Sequence, residues 1–363
     1  MPNPLTTLIA GEIASSGPIP FRRFMDLALY HPEHGYYSSG RARVGRSGDF
    51  FTNVSVGSLF GRLLARQFCE MRSVLGQEAD FTIVEQGAHG GEFAGDVISA
   101  LPPGMAAYRI IEPIPTLASA QRARLAGMNV EWSGNLCELS PFTGVHFSNE
   151  LPDAFPVHLV VWTGAEWLER CVAVHGGGFA FTDAPIESAE LAAACAAIPQ
   201  PLPAGYVTEV NLAARAWIVA VAQRLVRGFV LAVDYGYERA EFFTPQRIAG
   251  TLSACARHRR EPDPLARPGE LDITAHVEFT SLIECAEAAG MRLAGFTDQH
   301  HFMVGLGAAH FAEGAHAADR RAFQTLMHPQ FMGMVFKVVC FSKGIEPPVL
   351  AGFRYARTTG IIP

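Results

Sequence analysis

The sequence predicts a doubly wound α/β fold, a mostly parallel sheet with helices on both faces, on three observations. From residue 81 onward, short and nearly continuous apolar runs alternate with helical stretches, as strands buried on both faces of a parallel sheet require. The first run, 81–86, ends in a glycine-rich turn that opens a helix. The second ends in an acid, Glu112, twenty-one residues past Gly91. Strand, glycine turn, helix and an acid closing the next strand together form a unit that holds a ribose.

Taken in order, the elements read as follows. Pro20 precedes Phe21, Phe24, Met25 and Ala28, a helical stripe with proline tolerated in its first turn. Residues 31–53 are rich in Gly, Ser and aromatics and read as a loop. Ser55 is expected to cap a helix whose buried side carries Val56, Leu59, Phe60, Leu63, Leu64, Phe68, Met71 and Leu75. Strands are expected at 81–86, 107–112, 128–132 and 144–149, with helices at 91–101 and 115–126. Past Pro156, VHLVVW, EWLERCVAV and GFAFTD follow closely with Gly-rich connections, which suggests an antiparallel meander. A helical run at 209–227 leads to a buried strand at 228–236, and 291–299 with 334–342 form a closing pair. Three regions follow: 1–75, helical and covering the active site; 76–345, the sheet domain with insertions at about 157–227 and 238–290; and a tail, 346–363.

Composition narrows the function. The chain of 363 residues is 49% hydrophobic and 17% charged with a net charge of −7, a globular balance that argues against a nucleic-acid partner. Arg257, Arg259 and Arg260 cluster, but Glu261 and Asp263 follow at once, as in a solvated loop. Seven cysteines, an odd number with no CxxC pair, point to a reducing compartment and to no metal. Arg22 is the first cationic side chain, and no uninterrupted apolar run of about 20 residues occurs. A cytoplasmic protein without a membrane span is expected, with self-association left open.

The chemistry concentrates at the ends of the predicted strands. Gly87 and Gly91 permit a sharp exit and close approach to a ligand, and the helix they open aims free N–H groups at it. His89 stands where a dinucleotide's pyrophosphate needs bare backbone, and Glu85 just before the turn disfavours phosphate. The turn therefore suits S-adenosyl-L-methionine better than NAD, with Glu85 toward the cationic amino group and Glu112 toward the ribose. Asn135 and Leu136, ending the third strand, either hold an adenine or form an ordinary polar turn. Asn149, Glu150 and Asp153 follow the fourth strand, at the carboxyl edge where such sheets bind ligands. Their carboxylates could grip a cation such as a guanidinium, which stays protonated. In DITAHVEF, residues 272–279, Asp272, His276 and Glu278 alternate with Ile273, Ala275, Val277 and Phe279, the pattern of a half-buried strand. Asp234 and Tyr235 are candidate wall residues at another strand end.

These residues together resemble the MidA-like family, also called DUF185, to which the mitochondrial complex I assembly protein-arginine methyltransferase is related. The likeness runs through FMDLALYHPEHGYY (24–37), GDFFTN (48–53), EQGAHGG (85–91), NELPDAFPV (149–157), VDYGY (233–237), DPLARPGELDITAHVEFTSL (263–282) and MGMVFKV (332–338). It implies a class I methyltransferase (Rossmann-like) fold with a seven-stranded sheet, a helical N-terminal extension and inserted α/β segments. It implies S-adenosyl-L-methionine held by Glu85, Gly87, Gly91 and Glu112, with Asn149 and Glu150 flanking the reacting centre. Asp49 and Thr52 would close over it. The family turn is typically E-L-G-P-G-R-G, whereas Gln86, Ala88, His89 and Gly90 stand here. The family loop continues T-S-P-E, whereas Asn53, Val54 and Ser55 follow Thr52. The expected activity is methylation of arginine on a partner protein of the respiratory-assembly type. A small-molecule acceptor, or a donor-binding assembly factor without turnover, are the alternatives.

Overall fold

The computed structural model describes residues 3–40, 53–76, 80–256, 259–312 and 316–356. The chain divides into two compact units, one of residues 52–151, 216–236 and 280–363, the other of 1–51, 152–215 and 237–279. The N-terminal segment expected as one region is thus shared between them.

The first unit is built on a sheet. Its strands are β1 (Phe81–Gln86), β2 (Ala107–Ile111), β3 (Val130–Ser133), β4 (Phe142–Asn149), β5 (Leu225–Tyr237), β6 (Arg292–Asp298) and β7 (Phe336–Lys343). They lie in the order β3-β2-β1-β4-β5-β7-β6. The pairs from β3 through β5 are parallel, and β7 runs antiparallel to both β5 and β6. The expected closing pair forms, with β7 inserted next to β5. Ile83, Val84, Ile110, Val145, Leu231, Val338 and Val339 are inaccessible to solvent, as continuous apolar runs in a doubly covered sheet should be.

Aromatic packing joins the helices to this sheet. Phe60, on the helix Leu59–Val74, meets Phe93, on the helix Glu92–Ala100, at 5.7 Å between centroids. Phe93 stacks on Phe147 of β4 at 4.5 Å, and Phe68 meets the same ring edge-on at 5.8 Å. Each ring stabilises the fold by about 1.5–3 kcal/mol through burial, so this cluster fixes the helix pair on β4.

Two strands begin earlier than the sequence suggested, β4 at Phe142 and β5 at Leu225. Gly144 and Gly228, expected as the first residues of these strands, lie inside the sheet, opposite one another across β4 and β5. A Cβ on Gly144 would stand 2.0 Å from the Thr82 carbonyl oxygen of β1, so the strands approach where only glycine fits. The expected Ser55 cap is also corrected. Asn53–Val56 is a 3₁₀ turn, and the helix starts at Leu59 after Gly57, whose φ of 116° interrupts the chain.

The second unit carries the expected meander. Ile19–Pro20, Trp167–His175, His158–Trp162 and Tyr206–Val210 pair in that order, and Gly178–Pro185 adds to Trp167–His175, all antiparallel. Helices Pro4–Ser16 and Phe21–Tyr30 supply Leu5, Ile9, Phe21, Phe24 and Met25 to a core shared with Val157, Leu159, Val172, Leu271 and Ile273. The DITAHV segment is two short strands, Asp272–Thr274 and Val277–Glu278, rather than one, and Phe279 starts a helix. Its apolar alternation holds, with Ile273, Ala275, Val277 and Phe279 all buried. Among the described residues, no helix is long and apolar enough to cross a membrane.

Candidate active site

In the sheet unit, β1 and β4 are neighbours whose succeeding strands lie on opposite sides, β2 beyond β1 and β5 beyond β4. Loops leaving such a switch point diverge and open a crevice at the carboxyl edge. The chain exits after β1, β2, β3 and β4 are among those that face this edge.

The exit after β1 turns on Gly87 and Gly91, both at φ 82°, a left-handed conformation that glycine adopts without strain. His89 shares the left-handed region at φ 46°. Its ring Nε2 is enclosed with no hydrogen-bond partner among the described residues, and burial lowers its pKa, so the ring is neutral. Glu85 lies on β1, only 3% exposed, and accepts a 2.6 Å bond from the Tyr108 hydroxyl. Burial pushes its carboxyl up to about 8 against that hydrogen bond, so it holds a proton at neutral pH.

Glu112 closes β2 with one donor on each oxygen, the Ile114 N–H at 2.9 Å and the Gln121 amide at 2.8 Å. A carboxylate has about four acceptor positions, leaving one on each oxygen for a ribose hydroxyl. Gln121, which sequence reasoning missed, ties the edge together. It lies inaccessible on the helix Pro115–Arg124 and donates also to the His89 carbonyl at 2.8 Å, while its own oxygen accepts the Trp132 indole N–H at 3.0 Å. Because an indole only donates, this fixes the amide's orientation. A polar residue on a stripe with Ala118 and Leu125 was the available signal.

At the end of β3, Asn135 is exposed and caps the 3₁₀ turn Leu136–Glu138, accepting from the Cys137 and Glu138 N–H groups and donating to Glu138. Its polar atoms serve the turn, which favours the second of the two readings. Leu136, half-buried beside it, remains at the edge.

The exit after β4 is more constrained. Glu150 has φ 53° and donates its N–H to the Val233 carbonyl at 2.9 Å. Asp234, inaccessible at the end of β5, accepts the N–H groups of Leu151 at 3.2 Å and Tyr235 at 2.8 Å. The Asn149 amide donates to the Glu150 carboxylate at 2.8 Å. Beneath this exit is a second amide that the sequence did not reveal. Gln86 accepts the Trp217 indole N–H at 3.0 Å and faces His146 Nε2 at 3.2 Å through the same oxygen. Trp217 can only donate, so His146 must carry its proton on Nε2. Burial pushes the His146 pKa down to about 3.

Asp49 and Thr52 lie outside the described residues. Asp153 belongs to the other unit. There it is 5% exposed in the turn Pro152–Ala154, its carboxyl raised by burial and by Asp272. The carbonyls of that turn accept from Asn211, Ala275 and the Tyr30 hydroxyl, a structural hub within that unit.

The glycine turn occupied by His89, the buried Glu85 ahead of it and the spare acceptor positions of Glu112 fit a nucleoside without phosphate. The family model of S-adenosyl-L-methionine-dependent methyltransferases matches residues 63–297. The chain belongs to this family. A protein of Burkholderia thailandensis crystallised with S-adenosyl-homocysteine is 35% identical, with a TM-score of 0.89 over 98% of this chain and 95% of that one. The native crystal structure from the same organism is 34% identical with a TM-score of 0.87, at the same coverage. Among curated proteins, the mitochondrial protein arginine methyltransferase NDUFAF7 homolog of Drosophila melanogaster is 26% identical, covering 94% of this chain and 85% of its own length. NDUFAF7 of Homo sapiens is 26% identical, covering 84% and 74%. The methyltransferase thus has the class I fold and uses S-adenosyl-L-methionine as its donor.

Proposed function

We propose that this methyltransferase acts on an arginine side chain of a partner protein, as in the assembly of a respiratory complex. The observation that carries the reading is the Asn149–Glu150 pair, an amide oxygen and a carboxylate held at the carboxyl end of β4. The donor supplies a methyl group activated on a sulfonium. A guanidinium is planar and always charged, so the protein must hold it by acceptors and align one nitrogen with that methyl group. Glu150 offers such acceptors, and its left-handed backbone is of the kind found at functional positions. Glu112 is assigned to the ribose, with Gly87 and Gly91 letting the donor approach the backbone. The names of relatives matching over most of the chain support the same acceptor class. The free cysteines fit the reducing cytoplasm.

The test is to supply the purified protein with methyl-labelled donor and a lysate separated into proteins and small molecules. Label recovered as methylarginine from one protein band is the expected result. Label confined to the small-molecule fraction overturns it in favour of a small acceptor, and no label despite donor binding marks a scaffold.

A further inference from the structure

Within the sheet unit a chain of side-chain amides ends on Glu150. Gln299, inaccessible at the start of the helix Gln299–Ala312, donates its amide to the Leu326 carbonyl at 3.0 Å and to the Asn53 side-chain oxygen at 2.7 Å. Asn53, also inaccessible, donates to the Asn149 oxygen at 2.9 Å. Asn149 donates in turn to Glu150 at 2.8 Å. We infer that Asn53 and Gln299 are positioning residues that orient Asn149 and Glu150 toward the acceptor, through a relay with a fixed direction.

The direction follows from the two ends. A backbone carbonyl can only accept, so the nitrogen of Gln299 must face Leu326. An ionised carboxylate also only accepts, so the nitrogen of Asn149 must face Glu150. Between these ends, turning any one amide over would set oxygen against oxygen or nitrogen against nitrogen at two contacts. Such chains polarise one another, each bond strengthening the next. The terminal carboxylate sits on a left-handed residue, whose conformation persists only where its surroundings over-determine it. The relay and the bond from the Glu150 N–H to Val233 supply that constraint. Asn53 stands where the family loop has serine, so this chain has its own form of the support.

The inference rests on the placement of Glu150 at the acceptor, and its test separates the two. Asn53→Ala breaks the relay. Asn53→Asp keeps the link from Gln299 and breaks the next, because an aspartate accepts from Gln299 but has nothing to donate to Asn149. Methylarginine incorporation should fall about a hundredfold in Asn53→Ala, the effect of a small misplacement of a reacting group, and at least as far in Asn53→Asp. Affinity for S-adenosyl-homocysteine, by calorimetry, should stay within about twofold, a change of only ~0.4 kcal/mol. In the unsubstituted protein, nitrogen-labelled side-chain amides of Asn53 and Asn149 should each show one slowly exchanging proton, and the Asn149 signal should shift in Asn53→Asp. The relay is overturned if those protons exchange as freely as an exposed asparagine's, if incorporation is unchanged, or if it falls only in step with donor affinity. A protein that methylates no arginine yet shows the protected amides refutes the acceptor assignment and leaves the relay standing.

Discussion

Two exits from the same sheet place a non-glycine residue in the left-handed region, and they support it differently. Among the described residues His89 and Glu150 are the only ones to do so. At the β4 exit the polar atoms are engaged: Glu150 N–H on Val233, Leu151 N–H on Asp234, Asn149 on Glu150. At the β1 exit they are less so. The His89 ring nitrogen has no partner among the described residues, and Glu85 just ahead of the turn is buried and protonated. A braced exit suits a group that must hold a reacting nitrogen in line. An exit with glycines and spare polar capacity suits one whose contacts are completed by a ligand. The comparison assigns reaction rate to the β4 side and donor affinity to the β1–β2 side.

The largest effect should come from Glu150→Ala. Removing a preorganised acceptor from a reacting centre costs about 10²–10³ in rate, while the affinity for S-adenosyl-homocysteine should hardly move. A loss of donor affinity as large as the loss of rate would erase the distinction between the exits. Next in size, Glu112→Ala should weaken S-adenosyl-homocysteine by about 1.5–3 kcal/mol, the worth of hydrogen bonds to a charged group. Unchanged affinity in calorimetry would move the ribose elsewhere.

Glu85 offers a pH test of the β1 side. Its folded pKa is raised to about 8 from 4.5, so the folded state binds a proton that the unfolded chain releases. Stability is then full below pH 4.5, declines as pH rises toward 8 and levels off above. The slope, about 1.4 kcal/mol per pH unit, gives ~2 kcal/mol between pH 5.5 and 7 at most. Glu85→Gln keeps an acceptor for the Tyr108 hydroxyl and removes the titration. Denaturant midpoints should show the variant gaining on the parent protein as pH rises, and parallel pH curves would show that Glu85 is ionised in the fold.

How legible this was depended on the distance over which each signal acts. The strands stood out as apolar runs, and Glu112 followed from its spacing to Gly91, because both are local. The starts of β4 and β5 were placed late, at Gly144 and Gly228, because a glycine that serves close strand contact looks in sequence like the place where a strand begins. Gln121 was hidden although its apolar neighbours implied burial. The relay was invisible: Asn53 meets Asn149 across 96 positions and Gln299 across 246.

The smallest effect tests the β1 exit itself. His89→Gly restores the glycine that the family turn carries, at a position whose φ of 46° suits glycine. It relieves about 1 kcal/mol or more of left-handed strain and removes an unpartnered enclosed nitrogen, worth about 1–3 kcal/mol. Against this stand the lost packing of a half-buried ring and a backbone entropy cost of about 0.5–1 kcal/mol. The balance favours the variant by about 1 kcal/mol, a rise of ~1–2 °C in melting temperature for a chain of this size. Donor affinity should hold or tighten, since no side chain then stands at the turn. A lower melting temperature with weaker S-adenosyl-homocysteine binding would mean that the imidazole braces its exit as the relay braces the other, and the contrast between the two turns would disappear.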